Sequence, residues 1–141
     1  MSLVEDLNRA KQQLITQNHS LVLVKDDNIL FTGKRSGILD LWNVYENQPD
    51  LLVKTAAADR VIGKAAAIVM AAGDISACYS QVMSGGAEKI FRQQEIIYET
   101  DMKVQAIKKP DTGELCPLEK ITNDIDDLEQ GMSKISQFMK G

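Results

Sequence analysis

The sequence predicts an α/β fold, a three-layer α/β/α sandwich built on a mixed sheet of about five strands. Three observations carry this. LVLVK and ILFTG, separated by Asp26-Asp27-Asn28, read as a β-hairpin. From residue 75 onward, strand-like and helix-like segments alternate, which calls for parallel crossovers. Residues 57–73, AADRVIGKAAAIVMAAG, read as one helix whose second half, from Ala65 to Ala72, is apolar on every face. Such a helix is buried, and helices on both faces of the sheet would cover it.

Taken in order, residues 4–16 form a first helix, with Ser2 as cap and Glu5 three residues on. Strands follow at 21–25 and 29–33, then a polar loop at 34–37 and a short helix at 38–45 carrying Leu41, Trp42 and Tyr45. Pro49 and Asp50 end that helix, and residues 51–55 connect it to the Ala-rich segment. A strand at 75–83 leads through Ser84-Gly85-Gly86 into a helix at 87–94. Two further strands are expected at 95–99 and 103–107, a loop at 109–113, a turn of helix opening at Cys116, and a final helix at 126–139. The whole, residues 1–141, is expected to be one domain, with residues 1–19 as N-terminal helix and 124–141 as C-terminal helix.

Composition narrows the function. Hydrophobic residues make up 44% and charged residues 26%, an ordinary balance for a soluble domain. A net charge of −4 provides no basic field for nucleic acid. The N-terminus lacks a basic start followed by an apolar run, and no segment reads as a membrane span, so a cytoplasmic location is expected. Cys78 and Cys116 are too few for a disulfide framework, and His19 is the single histidine.

Four places can carry chemistry. At the expected start of the Ala-rich helix, Asp59, Gly63 and Lys64 combine a close-approach glycine, a cation and free helix N–H groups, which suits an anion; a solvated lysine and a dipole-favoured aspartate is the plainer alternative. Ser84, Gly85 and Gly86 lie between strand and helix, where ligands reach backbone amides and where a simple cap is as good an explanation. Cys116 at a helix N-cap, with Pro117 first in the helix and Glu119 third, suggests a reactive thiol with an acid–base partner, or a small apolar cap. Cys78, inside a strand, reads as core.

The hairpin LVLVKDDNILFTG, the segment ADRVIGKAAAIVMAAG, the strand ACYSQVMS and the late LCPLE resemble an uncharacterised prokaryotic family, domain of unknown function 1893. The resemblance spans roughly residues 21–119 and implies a fold similar to that of the cytidine deaminases. Zinc deaminases need His-x-Glu or Cys-x-Glu opening one helix and Pro-Cys-x-x-Cys opening the next. Here the first position holds Gly63-Lys64-Ala65-Ala66 and the second holds Ser84-Gly85-Gly86-Ala87, with no ligand in either. No metal and no cofactor are therefore expected.

The leading expectation is a non-enzymatic cytoplasmic protein that binds or senses a small anionic ligand, nucleotide-like by fold analogy. The alternatives are a thiol-dependent enzyme using Cys116 with Glu119, and a protein-interaction module; homo-oligomerisation stays open. Residues 63–64, 84–86 and 116–119 are expected to converge, so that Lys64, Ser84 and Cys116 line one cavity. That expectation draws partly on the resemblance, which places the Ala-rich helix beside Ser84.

Overall fold

A computed structural model describes residues 2–35 and 37–141. Met1 and Ser36, the latter within the expected 34–37 loop, lie outside the described residues. Helix α1 (Leu3–Thr16) starts as its sequence predicts, with the Ser2 hydroxyl accepting the Glu5 N–H at 3.1 Å. Strands β1 (Leu21–Lys25) and β2 (Asn28–Gly33) form the antiparallel hairpin. Its turn residues Asp26 and Asp27 both take positive φ, and their N–H groups donate to the buried Asp6 carboxylate of α1. Helix α2 (Leu39–Asn47) follows, then a single 3-10 turn, Pro49–Leu51.

The Ala-rich segment departs from its reading as one helix. It is a strand, β3 (Ala56–Ile62), then Gly63, then helix α3 (Lys64–Ala72). The reason is tertiary. Ala56, Ala58 and Ala77 are buried with Leu7, Ala10 and Leu14 of α1, and their small side chains let the helix approach the sheet. That packing, together with pairing on both sides of β3, overrides the helix propensity of alanine. Asp59 is therefore in a strand, not in the first turn of a helix.

Strand β4 (Ala77–Ser84), helix α4 (Gly85–Gln93) and strand β5 (Ile97–Val104) complete the crossovers. The two strands expected at 95–99 and 103–107 are one. Thr100-Asp101 reads as a break, yet the Tyr79 hydroxyl donates to Asp101, and the Ser80 and Thr100 hydroxyls bond each other across the ladder. Helices α5 (Pro117–Thr122) and α6 (Leu128–Lys140) close the chain.

The five-stranded sheet runs in the order β2-β1-β3-β4-β5, with β1 antiparallel to both neighbours and β3, β4 and β5 parallel. Alternate residues face opposite layers: Val22 and Val24 pack with α1, whereas Leu21 and Leu23 join the larger core around α3. Ala67 to Met70 of α3 are fully buried between the sheet and helices α4 and α6. This is the expected three-layer sandwich.

The topology fixes where a site can form. Ile62, Met83 and Lys103 are in register, so the three parallel strands end at one edge. The antiparallel β1 begins at that edge, with Leu21 opposite Asp59. Among the described residues no helix is long and apolar enough to cross a membrane.

Candidate functional site

At this edge a cavity of about 210 Å³ opens between the end of β3 and the start of α3. Its walls are mostly apolar: Ile38, Val61, Ala65, Ala66, Ile107 and Leu118. Its polar lining comes from Ser20 before β1, Asp59 and Arg60 of β3, Cys116 at the N-cap of α5, and Glu119 within α5.

Asp59 is only 7% exposed, and no side chain among the described residues bonds to it or pairs with it. Burial pushes its carboxyl up to about 7. Backbone N–H groups of Val61 and Arg60 oppose that rise, the Asp40 carboxylate adds to it, and the Arg60 charge counters it weakly. Arg60 is committed elsewhere: its Nε donates to the His19 carbonyl at 2.8 Å and its guanidinium also reaches the Asn18 side chain. Ser20 Oγ is buried with no hydrogen-bond partner among the described residues, as is His19 Nδ1 beside it. Cys78, on the neighbouring strand, is fully buried, and burial raises its thiol, with the Asp59 charge adding to the effect.

Glu119 is built in. Its Oε1 accepts the Lys64 N–H at 2.7 Å and its Oε2 accepts the Ile107 N–H at 2.9 Å. The carboxylate thus satisfies an orphan donor at the start of α3 and pins the 105–107 segment to α5. Gly63 is required there by space, since a Cβ on it would lie 2.8 Å from Glu119 Oε1.

Lys64 is also occupied. It is buried, and its Nζ donates at 3.1 Å to the Asn123 carbonyl and at 3.1 Å to Asp126, which Lys89 also pairs. Hydrogen bonds from Lys89 and Lys64 hold the carboxyl of Asp126 below its ordinary range. The Ser84 hydroxyl is buried and caps α4 by accepting the Ala87 N–H at 3.1 Å.

The predicted site residues therefore divide. Asp59, Gly63, Cys116 and Glu119 share the Asp59 cavity. Lys64, Gly85 and Gly86 line a neighbouring depression with Lys89 and Asp126, and Glu119 borders both. Ser84 lines neither, so the expectation of one cavity holding Lys64, Ser84 and Cys116 is corrected. The segments do converge on one edge, but Glu119 stands between the cation and the thiol. Sequence reasoning missed Ser20 and Ile107, which carry no local signal. Asp59 had one: a single carboxylate inside an otherwise apolar alanine strand.

A crystal structure of a DUF1893 family protein (TM1506) from Thermotoga maritima superposes with a TM-score of 0.87, at 20% identity, covering 97% of this chain and 92% of that one. At that identity the likeness shows the fold. No curated protein matches the sequence. The sequence profile of the TM1506 family, described as a domain of unknown function (DUF1893), matches residues 9–139. The chain belongs to the DUF1893 family.

Proposed function

We propose that the protein is a cytoplasmic, non-enzymatic binding or sensing protein for a small ligand, seated in the Asp59 cavity on a fold akin to that of the cytidine deaminases. The observation that carries this reading is Asp59 itself: a buried carboxyl with no side-chain partner among the described residues, in the wall of a mostly apolar cavity. Such a group destabilises a fold unless it serves one. A convergent polar group in an apolar concavity is the general form of a small-molecule site.

The size limits the ligand. About 210 Å³ is below the roughly 300–1,000 Å³ common for drug-sized ligands, so a single ring suits it better than a whole nucleotide. The sequence pointed to an anion held by Lys64 and the start of α3. That reading loses support here, because Lys64 Nζ is spent on Asn123 and Asp126 and the Glu119 carboxylate already fills the helix start. Cys116 shares the cavity, so thiol chemistry remains the second reading, with Asp59 in place of Glu119 as its acid–base group.

Amide-resolved NMR titration with benzamide, a neutral single-ring probe, tests the binding reading. Shifts should concentrate at residues 59–66, 107 and 116–119, and iodoacetamide labelling of Cys116 should slow when the probe is present. If no amide in these segments moves at saturating benzamide, benzamidine or benzoate, the reading fails.

A further inference from the structure

We propose that the ligand of this cavity is an organic cation: a small planar amidinium or ring-borne ammonium whose N–H groups meet Asp59 and whose ring lies against the apolar wall. The inference rests on the reading of the cavity as a binding site and names its ligand class.

Charge favours a cation. Two carboxyl side chains, Asp59 and Glu119, line the cavity, and a third, Asp40, acts on Asp59 from α2. Arg60 is the one cation among the described lining residues, and its guanidinium is tied to the 18–19 segment. An entering anion meets like charge in an apolar, weakly screened space. An entering cation meets the opposite charge in the same space, where the attraction is stronger than in water.

The Asp59 side chain is more than nine-tenths buried and, among the described residues, meets only the backbone N–H groups of Val61 and Arg60, while Ser20 Oγ is buried with no partner among the described residues. Both belong to the wall of one cavity. Buried polar groups are almost always satisfied, so the orphaned Ser20 hydroxyl, in one wall with a carboxylate that has acceptor capacity to spare, points to a ligand that bonds both. A carboxylate accepts two parallel N–H bonds from a planar fork, and a hydroxyl accepts a third from the same group. Glu119 does not compete, since both its oxygens already hold backbone N–H groups.

With its carboxyl near 7, Asp59 is part-protonated at neutral pH. A bound cation favours the charged form, so binding expels a proton wherever Asp59 starts protonated. The groups acting on it are Asp40 from α2, Arg60 on its own strand and Cys78 from β4, with Cys116 and Glu119 lining the same cavity from α5 and its cap. Asp59 changes charge near pH 7, so affinity for a permanent cation should rise with pH through that value.

The experiment is isothermal titration of the full chain with three near-isosteric probes, benzamidine, benzamide and benzoate, at pH 6, 7 and 8. Benzamidine stays cationic throughout this range. The expected result is benzamidine binding at least tenfold tighter than benzamide at pH 8, a preference shrinking several-fold by pH 6, and benzoate weakest. Asp59→Asn should abolish the preference for benzamidine over benzamide. The pH series on the unaltered protein reads the same point without any variant. Benzamide binding as tightly as benzamidine at pH 8 overturns the cation and leaves the cavity reading standing. Benzoate binding tightest overturns it in favour of an anion. No binding by any probe removes both the inference and the reading beneath it.

Discussion

Glu119 reaches across 55 residues of sequence to accept the backbone N–H of Lys64 at 2.7 Å, so the start of the central helix is capped by a side chain from α5. Its other oxygen holds Ile107. One carboxylate thereby joins α3, the strand-to-α5 connection and α5, and these three surround the Asp59 cavity.

Removing that carboxylate should be costly. Glu119→Ala leaves the Lys64 and Ile107 N–H groups without an acceptor, and each orphaned buried donor costs about 1–3 kcal/mol. The expected loss is roughly 2–4 kcal/mol in urea unfolding. Glu119→Gln keeps one acceptor oxygen and should recover about half. Equal losses for the two variants would mean that charge, not hydrogen bonding, is what Glu119 supplies.

Gly63→Ala should destabilise for steric reasons alone. Gly63 has φ of −91°, which any residue adopts. The new Cβ, however, would lie 2.8 Å from Glu119 Oε1 and 3.0 Å from Ile107 Cγ1. Overpacking of this kind costs about 1–3 kcal/mol. In a Glu119→Ala background the clash with the carboxylate disappears, so a double-mutant cycle should show Gly63→Ala costing less there than in the unaltered protein.

Much of the sandwich was legible because its signals are local. The hairpin has its Asp26-Asp27 turn, α1 its Ser2 cap, and α5 its Cys116-Pro117 start. The strand β3 was hidden because alanine is ambiguous: its strand role comes from α1 packing against Ala56, Ala58 and Ala77, contacts that a sequence window does not contain. Gly63 was noticed as a point of close approach, but the object approaching it is Glu119, not a ligand. The sequence places Asp59 on a helix, beside a buried element but not inside it, whereas the structure puts it in a strand and buries it. Lys64 looked available for the same reason: Asp126 and Asn123 lie about sixty residues downstream, with nothing in the sequence to pair them.

Lys64 acts on the fold rather than on the cavity. Its ammonium ties the α5–α6 connection, through the Asn123 carbonyl and the Asp126 side chain, to the start of α3. Lys64→Met keeps the buried aliphatic stem and removes those bonds. Amide hydrogen exchange over residues 123–127 should accelerate, while affinity for benzamidine stays within about twofold. A large loss of affinity with unchanged exchange would return Lys64 to the site.

The stability of the protein should carry the imprint of Asp59 in its pH dependence. The carboxyl ionises near 3.8 in an unfolded chain and near 7 in the fold. Between those values the folded state holds a proton that the unfolded state has released. Stability therefore falls as pH rises from about 4 to about 7, and the penalty is complete above 7 and absent below 4. Its full size corresponds to roughly 4 kcal/mol, taking about 1.4 kcal/mol per tenfold change in proton affinity. Asn cannot ionise and nearly matches the shape of the protonated acid. Asp59→Asn should thus be more stable than the unaltered protein by about 2–4 kcal/mol at pH 8 and equal to it at pH 4, as read by urea unfolding at both values. Comparing the two proteins at each pH cancels the titration of every other carboxylate. A gain at pH 8 from removing a charged residue is the mark of a group kept for function at the expense of the fold. Equal stabilities at pH 8 would mean that the carboxylate is already satisfied, and the case for a ligand at Asp59 would fall with it.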